Sequence, residues 1–151
     1  MSGRSLSIDI IENGLVIDHI KAGNCMKIYS YLNLDKLDCT VAIIKNVKSK
    51  KHAFKDLIKI ENNLDIDYEV IGFLDPNVTI NIIKDGKIIS KTSLELPKSV
   101  KNIVKCKNPR CICSIEQDLE HVFELSDAEK ETYRCIFCRQ EADKTAMRNL
   151  Y

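Results

Sequence analysis

The sequence lacks a long apolar run, an excess of one charge and an apolar leader at its amino terminus. A membrane-spanning helix needs about 18 or more consecutive apolar residues, and no such run occurs, so we expect no membrane segment. Lys and Arg number 23 and Asp and Glu 22, a balance that argues against binding polyanions through bulk charge. The opening residues, MSGRSLSIDI, lack a signal peptide's apolar stretch and cleavage site, which favours a cytoplasmic protein.

Two glycine-rich nucleotide-binding motifs are also missing. No G-x-x-x-x-G-K-[ST] occurs, which excludes a P-loop NTPase, and no G-x-G-x-x-G occurs, which argues against a dinucleotide-binding fold. The chain has no internal repeat and no low-complexity tract. Its 151 residues, 44% of them hydrophobic and 30% charged, are typical of a globular protein with one sizeable core or two small ones.

Cysteine, by contrast, is abundant: the chain has seven, and five of them follow Pro97. Thiols stay reduced in the cytoplasm, so this number favours metal binding or catalysis over disulfides. The stretch LELPKSVKNIVKCKNP has a proline near each end and scattered lysines, which is typical of a short connection. We therefore expect two domains, one over residues 1–97 and the other over residues 98–151.

The first domain is expected to contain both strands and helices. Strand-like runs rich in isoleucine and valine occur in LSIDIIENGLVIDHI, TVAIIKNV, AFKDLIKIEN and VTINIIKDGKIISKTS, with hairpin signals at Asn13-Gly14 and Asp85-Gly86. Helices are expected in NCMKIYSYLNL and in DIDYEVIGFLD. The second helix should end before Pro76, because the residue before a proline avoids the helical region.

The elements of this domain follow the order strand, helix, strand, strand, helix, strand, with an extra hairpin arm. That order is the pattern of a ferredoxin-like fold of the α+β class. In the first helix, the apolar residues expected on one face are Met26, Tyr29, Leu32 and Leu34.

The second domain has about 50 residues, few of them large and apolar, which is too little core to fold comfortably alone. Two cysteine pairs solve this problem: Cys106-x4-Cys111 and Cys135-x2-Cys138, separated by 23 residues. Four thiolates on two tight turns can bind one structural Zn²⁺ and clamp two short ribbon hairpins at one end, in a zinc-ribbon-like β domain. Such a site contributes about 10–16 kcal/mol in zinc peptides. A catalytic zinc keeps one position for water, and four cysteines leave none, so we expect a structural ion.

A fifth cysteine, Cys113, follows Cys111 by two residues. If this segment is extended, the two side chains point to opposite faces, so they are not expected to bind the same ion. We therefore interpret Cys113 as a small buried hydrophobe. His121 is an alternative metal ligand, although a lone histidine beside Val122 and Phe123 is more often a surface or half-buried residue.

Three features, GLVIDHI, KDLIKIEN and the C-x4-C-x23-C-x2-C set, resemble the regulatory chain of aspartate carbamoyltransferase in their order and distances. The resemblance extends from about Ile8 to Ala142. It implies a non-catalytic subunit whose amino-terminal domain binds nucleoside triphosphates, namely CTP, ATP and, as a further candidate, UTP. It also implies a structural-zinc domain that binds the catalytic chain, a homodimer of regulatory chains, and feedback control of pyrimidine biosynthesis.

The resemblance further implies a nucleotide site built from several strands. Where a tyrosine often stands in the family, this chain has Gly86, so the turn at Asp85-Gly86 differs in shape. The residues implied to contact base or ribose are Ile8, Asp9, Ile10 and Ile11, through their backbone, and Asp18 and His19. The others are Lys59 at ribose or phosphate, Asn81 in the same pocket, Lys91 at the triphosphate, and Val16 and Ile88 as apolar walls. Without the family pattern, Lys59 would be interpreted as a solvated strand lysine.

Two other functions fit parts of the second domain. The segment CIFCRQEADKTAMR superficially resembles a nucleic-acid-binding zinc ribbon, which would need a basic stripe with interleaved aromatics. The domain carries the acidic SIEQDLEHVFELSDAEKE instead. An enzyme with a cysteine nucleophile, such as Cys113 beside His121, would need an exposed thiol of low pKa. We expect neither a nucleic acid nor a membrane among the partners.

Overall fold

The computed structural model describes residues 11–50, 53–62 and 65–144. Two helices, α1 (Cys25–Tyr31) and α2 (Tyr68–Leu74), follow the first and third strands of the chain. Five strands form one antiparallel sheet in the order β2-β3-β1-β4-β5: β1 (Gly14–Lys21), β2 (Val41–Lys48), β3 (Phe54–Glu61), β4 (Thr79–Lys84) and β5 (Lys87–Ser93). Up to β4 the element order is that of a ferredoxin-like fold, and β5 is the extra arm, so the predicted fold class is confirmed.

The sheet has one apolar face, which the helices cover, and one mixed face. Successive side chains of a strand point to opposite faces. Five of the side chains that point toward the helices are almost completely buried: Leu15, Ile17, Ile58, Ile60 and Ile80. The helices complete this core with Cys25, Ile28, Val70, Ile71, Phe73 and Leu74. The alternate strand positions, which include Val16, Asp18 and Lys59, lie on the other face.

Local signals explain where α2 begins and ends. The Asp67 side chain accepts hydrogen bonds from the backbone N–H groups of Glu69 and Val70 at 3.0 and 3.3 Å, which caps the first turn. The helix ends at Leu74, before Pro76, in agreement with the prediction. No helix in the described ranges is long and apolar enough to cross a membrane.

A buried carboxylate on β3 holds the loop between β1 and α1. Asp56 is fully buried and accepts hydrogen bonds from the backbone N–H groups of Gly23, Cys25 and Asn46 at 2.9, 3.4 and 2.9 Å. Although burial raises the pKa of Asp56, these hydrogen bonds lower it by more, so the pKa lies below its ordinary value. The loop that follows β1 is therefore fixed by the ionised form of this side chain.

One expectation about the first helix is wrong. Met26 is 47% exposed, and the residues that α1 buries are Cys25 and Ile28. The reason is that this helix has only seven residues and packs against β3, so the sheet rather than the apolar pattern selects its buried face. Leu34 is buried, but in a 3₁₀ turn over Leu34–Lys36 that follows the helix. The strand predicted before Asn13 lies mostly outside the described residues.

The second unit is a three-stranded antiparallel sheet beside two cysteine-bearing loops. Its strands β6 (Ser99–Lys101), β7 (Val122–Asp127) and β8 (Thr132–Cys135) lie in the order β6-β7-β8, and a short helix, α3 (Ile112–Ile115), precedes β7. Its core consists of Val100, Val104, Phe123, Tyr133, Cys106, Cys111, Cys113 and Cys135. The small cysteine-rich domain is confirmed with β7 and β8 as a hairpin, while the first cysteine loop carries α3 instead of a second hairpin.

The two units are joined by two aromatic rings, two tyrosine hydroxyls and a lysine. Phe73 on α2 and Tyr133 on β8 form an edge-to-face pair with ring centroids 4.8 Å apart. Lys144 Nζ lies 4.6 Å from the Phe73 ring centroid and donates a hydrogen bond to Phe73 O at 2.6 Å. The hydroxyl of Tyr31 donates to Lys144 O, and that of Tyr133 to Pro97 O, both at 2.6 Å. We call these five residues the joint: Tyr31, Phe73, Pro97, Tyr133 and Lys144.

Candidate functional site

The four cysteines of the predicted metal site come together. The Sγ atoms of Cys106, Cys111, Cys135 and Cys138 all lie within 4.8 Å of one another. Those of Cys106 and Cys138 are 3.7 Å apart, and so are those of Cys111 and Cys135. With Zn–S bonds of about 2.3 Å, two thiolates on a tetrahedral zinc are separated by about 3.8 Å. Both pairs therefore have the spacing that a tetrahedral ion requires.

Backbone hydrogen bonds shape the two loops that carry these cysteines. In the first loop, Asn108 O accepts from Cys111 N at 3.1 Å and Asn108 Oδ1 accepts from Arg110 N at 3.0 Å. In the second loop, Cys135 O accepts from Arg139 N at 2.9 Å. Each bond closes a tight turn between two cysteines or just after them, so both thiols of a loop point the same way.

His121 positions the first cysteine of the cluster. It is only 6% exposed, so the expectation of a surface or half-buried histidine is wrong. Its Nδ1 accepts a hydrogen bond from Cys106 N at 3.0 Å, and its backbone N donates to Asn102 Oδ1 at 2.9 Å. The Nδ1 lone pair is therefore used by the backbone of Cys106, and His121 is not among the four clustered ligands.

Cys113 lies against the thiol cluster and not on an opposite face. Its Sγ is 3.3 Å from Cys111 Sγ and 3.9 Å from Cys135 Sγ, and the residue is 2% exposed. Its burial was predicted. The prediction that its side chain points away from that of Cys111 is wrong, because the segment is helical rather than extended. Burial raises the pKa of Cys113 above its ordinary value. A nucleophilic thiol needs the opposite, exposure and a lowered pKa.

Two cations of the second unit are paired with acidic side chains. Arg139 lies 3.5 Å from Glu124, and Lys101 lies 3.3 Å from Glu120. A nucleic-acid-binding ribbon would use such cations in a basic stripe.

Between and beside the cysteines of the two loops, four large apolar side chains are 37% to 60% exposed. We call them the knuckle patch: Ile112, Ile115, Ile136 and Phe137.

Four of the implied nucleotide-binding residues form one row across the first sheet. Val16 is paired with Lys59 on β3 and with Asn81 on β4, and Asn81 is paired with Lys91 on β5. Directly paired residues point to the same face of a sheet, and here it is the face opposite α1 and α2. We call Lys59, Val16, Asn81 and Lys91 the sheet row.

Asp18 and Ile88 border the sheet row. Asp18 lies two positions beyond the row on β1 and is paired with Thr79 on β4, so it shares the same face. Ile88 is paired with Ile83 beyond a bulge in the β4–β5 pairing and is 53% exposed. The row therefore has a carboxylate along one side and an apolar side chain along the other.

Two further implied residues, Ile11 and His19, lie near the two ends of β1. His19 stands at a bulge in this strand and has a left-handed backbone conformation, with φ of 59°. Ile11, just before the strand, is 8% exposed. The three residues that precede it lie outside the described part of the chain: Ile8, Asp9 and Ile10.

Lys55 contacts Asp18, one of the implied site residues, and sequence reasoning missed it. Its Nζ lies 2.8 Å from Asp18 Oδ1, and both side chains are 19% exposed. Lys55 precedes Lys59 by four positions on β3, so the alternation that placed Lys59 on this face could have found it. Burial raises the pKa of Asp18, but hydrogen bonds from Lys55 and His19 N, with the charge of Lys55, lower it by more. The pKa of Asp18 therefore lies below its ordinary value.

Two buried polar atoms on this side of the sheet have no hydrogen-bond partner among the described residues: Asn81 Oδ1 and His19 Nδ1. Buried polar atoms are nearly always hydrogen-bonded in folded proteins. His19 also lines a cavity of about 510 Å³, together with Lys21, Ala22, Ala53, Phe54 and Asn77. Asn81 Oδ1 in the row and His19 Nδ1 beside the cavity are thus polar atoms that a ligand can use.

The turn that departs from the family pattern packs against the segment before β1. Asp85 and Gly86 have φ of 52° and 76°, as in a type I′ hairpin turn. Gly86 N donates to Glu12 O at 2.9 Å, and Asp85 N donates to Asn13 Oδ1 at 3.3 Å. A Cβ at position 86 would meet no described atom within 4 Å, so the glycine serves the backbone conformation and not close packing.

Comparison with known proteins assigns both units to one family. The family model described as "Aspartate carbamoyltransferase regulatory chain, allosteric domain" matches residues 6–95. The model described as "Aspartate carbamoyltransferase regulatory chain, metal binding domain" matches residues 98–148. The chain belongs to the aspartate carbamoyltransferase regulatory chain family. It is a regulatory and not a catalytic chain.

Similar proteins carry the name "Aspartate carbamoyltransferase regulatory chain". That of Clostridium acetobutylicum is 54% identical over 133 residues, which cover 88% of this chain and 91% of the relative. That of Clostridium tetani is 54% identical over 134 residues, 88% of this chain and 93% of the relative. That of Bifidobacterium longum is 37% identical over 137 residues, 91% and 99% respectively. The resemblance inferred from the sequence is confirmed.

Replacing Asp18 with asparagine should destabilise the protein at neutral pH and have little effect in acid. The pKa of Asp18 is lower when folded, so its stabilisation is present above the ordinary value of 3.8 and is lost as pH falls through the folded value. We expect the free energy of unfolding to fall by about 1 kcal/mol at neutral pH. Urea denaturation at neutral pH and well below pH 3.8, where the carboxylate is protonated in the folded protein as well, measures the difference.

The exposed Asp35 provides the control for this substitution, because Asp35→Asn removes a carboxylate without removing an ion pair of the site. Its free energy of unfolding should change little at either pH. A loss for Asp18→Asn that is equally large in acid would show that the ionised carboxylate is not what stabilises this face.

Proposed function

We propose that this chain is the allosteric subunit of an aspartate carbamoyltransferase, with a nucleotide domain over residues 1–97 and a zinc domain over residues 98–151. The observation that carries the proposal is the sheet row, in which four adjacent strands contribute two lysines, an amide and an apolar side chain to one face. CTP, ATP and UTP are the proposed ligands. Their binding transmits feedback regulation of pyrimidine biosynthesis to the catalytic chains.

The sheet row suits a ligand with a phosphate chain at one end and a nucleoside at the other. Lys91 lies on the edge strand β5, where its ammonium group can meet a triphosphate, and Lys59 lies on β3 for ribose or a phosphate. Strands are about 4.8 Å apart, so three steps separate the two lysines by about 14 Å. Between them, Val16 supplies an apolar contact and Asn81 an unpartnered amide oxygen.

The neighbours of the row have proposed roles as well. Asp18, kept ionised by Lys55, accepts a hydrogen bond from a ribose hydroxyl. His19 offers its unpartnered Nδ1 next to the cavity. Ile88 adds an apolar wall on the side of the β4–β5 turn. The backbone of residues 8–11 is proposed to read the base.

We further propose that the thiol cluster holds one structural Zn²⁺ per chain. Four thiolates fill the four positions of a tetrahedral zinc, which leaves no position for a reacting water. When bound, the ion supplies a cross-link between the loop after β6 and the end of β8. Because only reduced thiols bind the metal, we place the protein in the cytoplasm.

The knuckle patch is the surface proposed to contact the catalytic chain. Its four large apolar side chains are exposed together on the two loops that the metal would hold. Contiguous exposed apolar side chains of this kind mark protein interfaces. The zinc would therefore act on assembly indirectly, because it keeps the two halves of the patch side by side.

The regulatory homodimer is proposed to form through an edge of the first sheet. β2 and β5 are its two edge strands, and the unpaired backbone groups of an edge can pair with a second copy. β5 carries Lys91 of the sheet row. β2 is therefore the edge that stays available when a nucleotide is bound.

Replacing Lys91 with alanine should weaken the binding of CTP and ATP far more than that of cytidine and adenosine. Only the phosphate contact is lost, so we expect a cost of about 2 kcal/mol, roughly 30-fold in Kd, for the triphosphates alone. Isothermal titration calorimetry of the isolated chain measures all four ligands. The control is Lys87→Ala, since Lys87 lies on the same strand but is paired with Lys84 on the opposite face.

An equal loss for CTP and cytidine would contradict the phosphate role of Lys91. A loss of the same size in the Lys87→Ala control would show that the effect is one of general charge and not of this position.

Removing the metal should abolish attachment to the catalytic chain and largely preserve nucleotide binding. Cys135→Ser removes one ligand, and the residues after about Lys101 then lose the cross-link that orders them. The first unit keeps its own apolar core. Metal analysis, size-exclusion chromatography with added catalytic chain and calorimetry with CTP measure the three properties. Cys39→Ser, at a half-buried cysteine outside the cluster, is the control.

A metal-free protein that still assembles with the catalytic chain would falsify the structural role of the zinc. Loss of both nucleotide binding and assembly in Cys135→Ser would show instead that the two units fold only together.

A further inference from the structure

Four thiols converge in the second unit, and a fifth, that of Cys113, lies against two of them. Cys113 Sγ lies 3.3 Å from Cys111 Sγ and 3.9 Å from Cys135 Sγ. Thiolates on one tetrahedral zinc are about 3.8 Å apart. Cys113 therefore has the spacing of a co-ligand with Cys135, but it is too close to Cys111 for both to bind one ion.

We propose that Cys113 is a reserve ligand, which takes the coordination position of Cys111 when that thiolate is lost. The proposal rests on the structural-zinc site proposed above. In the exchange, the Zn–S bond to Cys111 breaks and a Zn–S bond to Cys113 forms. The Cys113 thiol gives up its proton, and the displaced Cys111 sulfur takes up a proton or keeps the group that removed it from the ion. The ion keeps four thiolates and the site keeps its charge, so no oxidant or reductant is required.

The short helix α3 holds Cys113 where this exchange needs it. Cys111 is the residue before the helix, and its carbonyl accepts hydrogen bonds from Ser114 N at 2.9 Å and Ile115 N at 3.1 Å. Ser114 Oγ donates to Cys106 O at 3.4 Å, which ties the helix to the first cysteine of the loop. Cys113 can thus replace Cys111 by a side-chain movement, without refolding of the loop.

Cys135 has no such substitute. It is fully buried at the end of β8, where it is paired with Phe123. If Cys113 took its place, Cys111 and Cys113 would have to bind the ion together from an Sγ separation of 3.3 Å. Loss of Cys111 should therefore be tolerated and loss of Cys135 should not. This asymmetry distinguishes a reserve ligand from a thiol that only fills space.

The test compares metal binding by full-length Cys111→Ser, Cys113→Ser and the double variant, with Cys135→Ser as the control that has no substitute. Zinc per chain is measured after gel filtration, and thiolate ligands are counted from the charge-transfer absorption of the Co²⁺-substituted proteins. Cys111→Ser and Cys113→Ser should each keep one zinc per chain and show the same Co²⁺ charge-transfer absorption as the unsubstituted protein. A chelator should remove zinc from Cys111→Ser about 10-fold or more slowly than from the double variant.

The double variant, with only three thiolate ligands, should show a weaker charge-transfer band and fast zinc loss. If Cys111→Ser behaves in the same way, the reserve role is overturned and the structural-zinc proposal stands. An unsubstituted chain that binds no zinc would overturn both.

A second measurement leaves all four ligands in place and does not depend on the folding of a ligand variant. The unsubstituted protein and Cys113→Ser are titrated with a mercurial while released zinc is recorded against thiols modified. With a reserve ligand, the unsubstituted protein should release its zinc only after about one more thiol has reacted than in Cys113→Ser. Identical release curves would overturn the proposal.

Discussion

The convergence of four thiols from two loops is the constraint on which the second unit depends. Its strands have three, six and four residues, and such short strands stabilise little by themselves. Its core is correspondingly small. The structural zinc proposed for this site would supply about 10–16 kcal/mol, the range found for zinc peptides, which is more than most small domains have in total. The fold of this unit, the exposed knuckle patch and the position of β8 therefore follow from how the thiols are held.

The joint connects this unit to the sheet that carries the row. Tyr133 precedes Cys135 by two residues on β8, so its ring position follows from the thiol cluster. Its partner Phe73 lies on α2, which packs on the inner face of the sheet whose other face carries the row. Lys144 contacts both rings. Allosteric coupling requires two states that differ in their contacts, and the joint is one place where the two units touch.

Local signals account for what could be predicted, and tertiary pairing accounts for the rest. The order of strands and helices followed from period-two apolar runs, and the end of α2 followed from Pro76. The thiol cluster followed from cysteine spacing. Alternation along β3 puts Lys55 on the same face as Lys59, but its contact with Asp18 could not be predicted because it depends on the pairing of β3 with β1. Cys113 was given the wrong direction because a helix as short as α3 leaves no periodic signal.

Regulation of a catalytic partner by nucleotides bound to this chain is tested most directly by an aspartate saturation curve. The curve is recorded for a catalytic chain alone and after assembly with this chain, with and without CTP or ATP. We expect no carbamoyl transfer by this chain by itself, no nucleotide response of the catalytic chain alone, and a shift along the aspartate axis in the assembly. An assembly that forms but responds to no nucleoside triphosphate would contradict the regulatory role proposed for the sheet row.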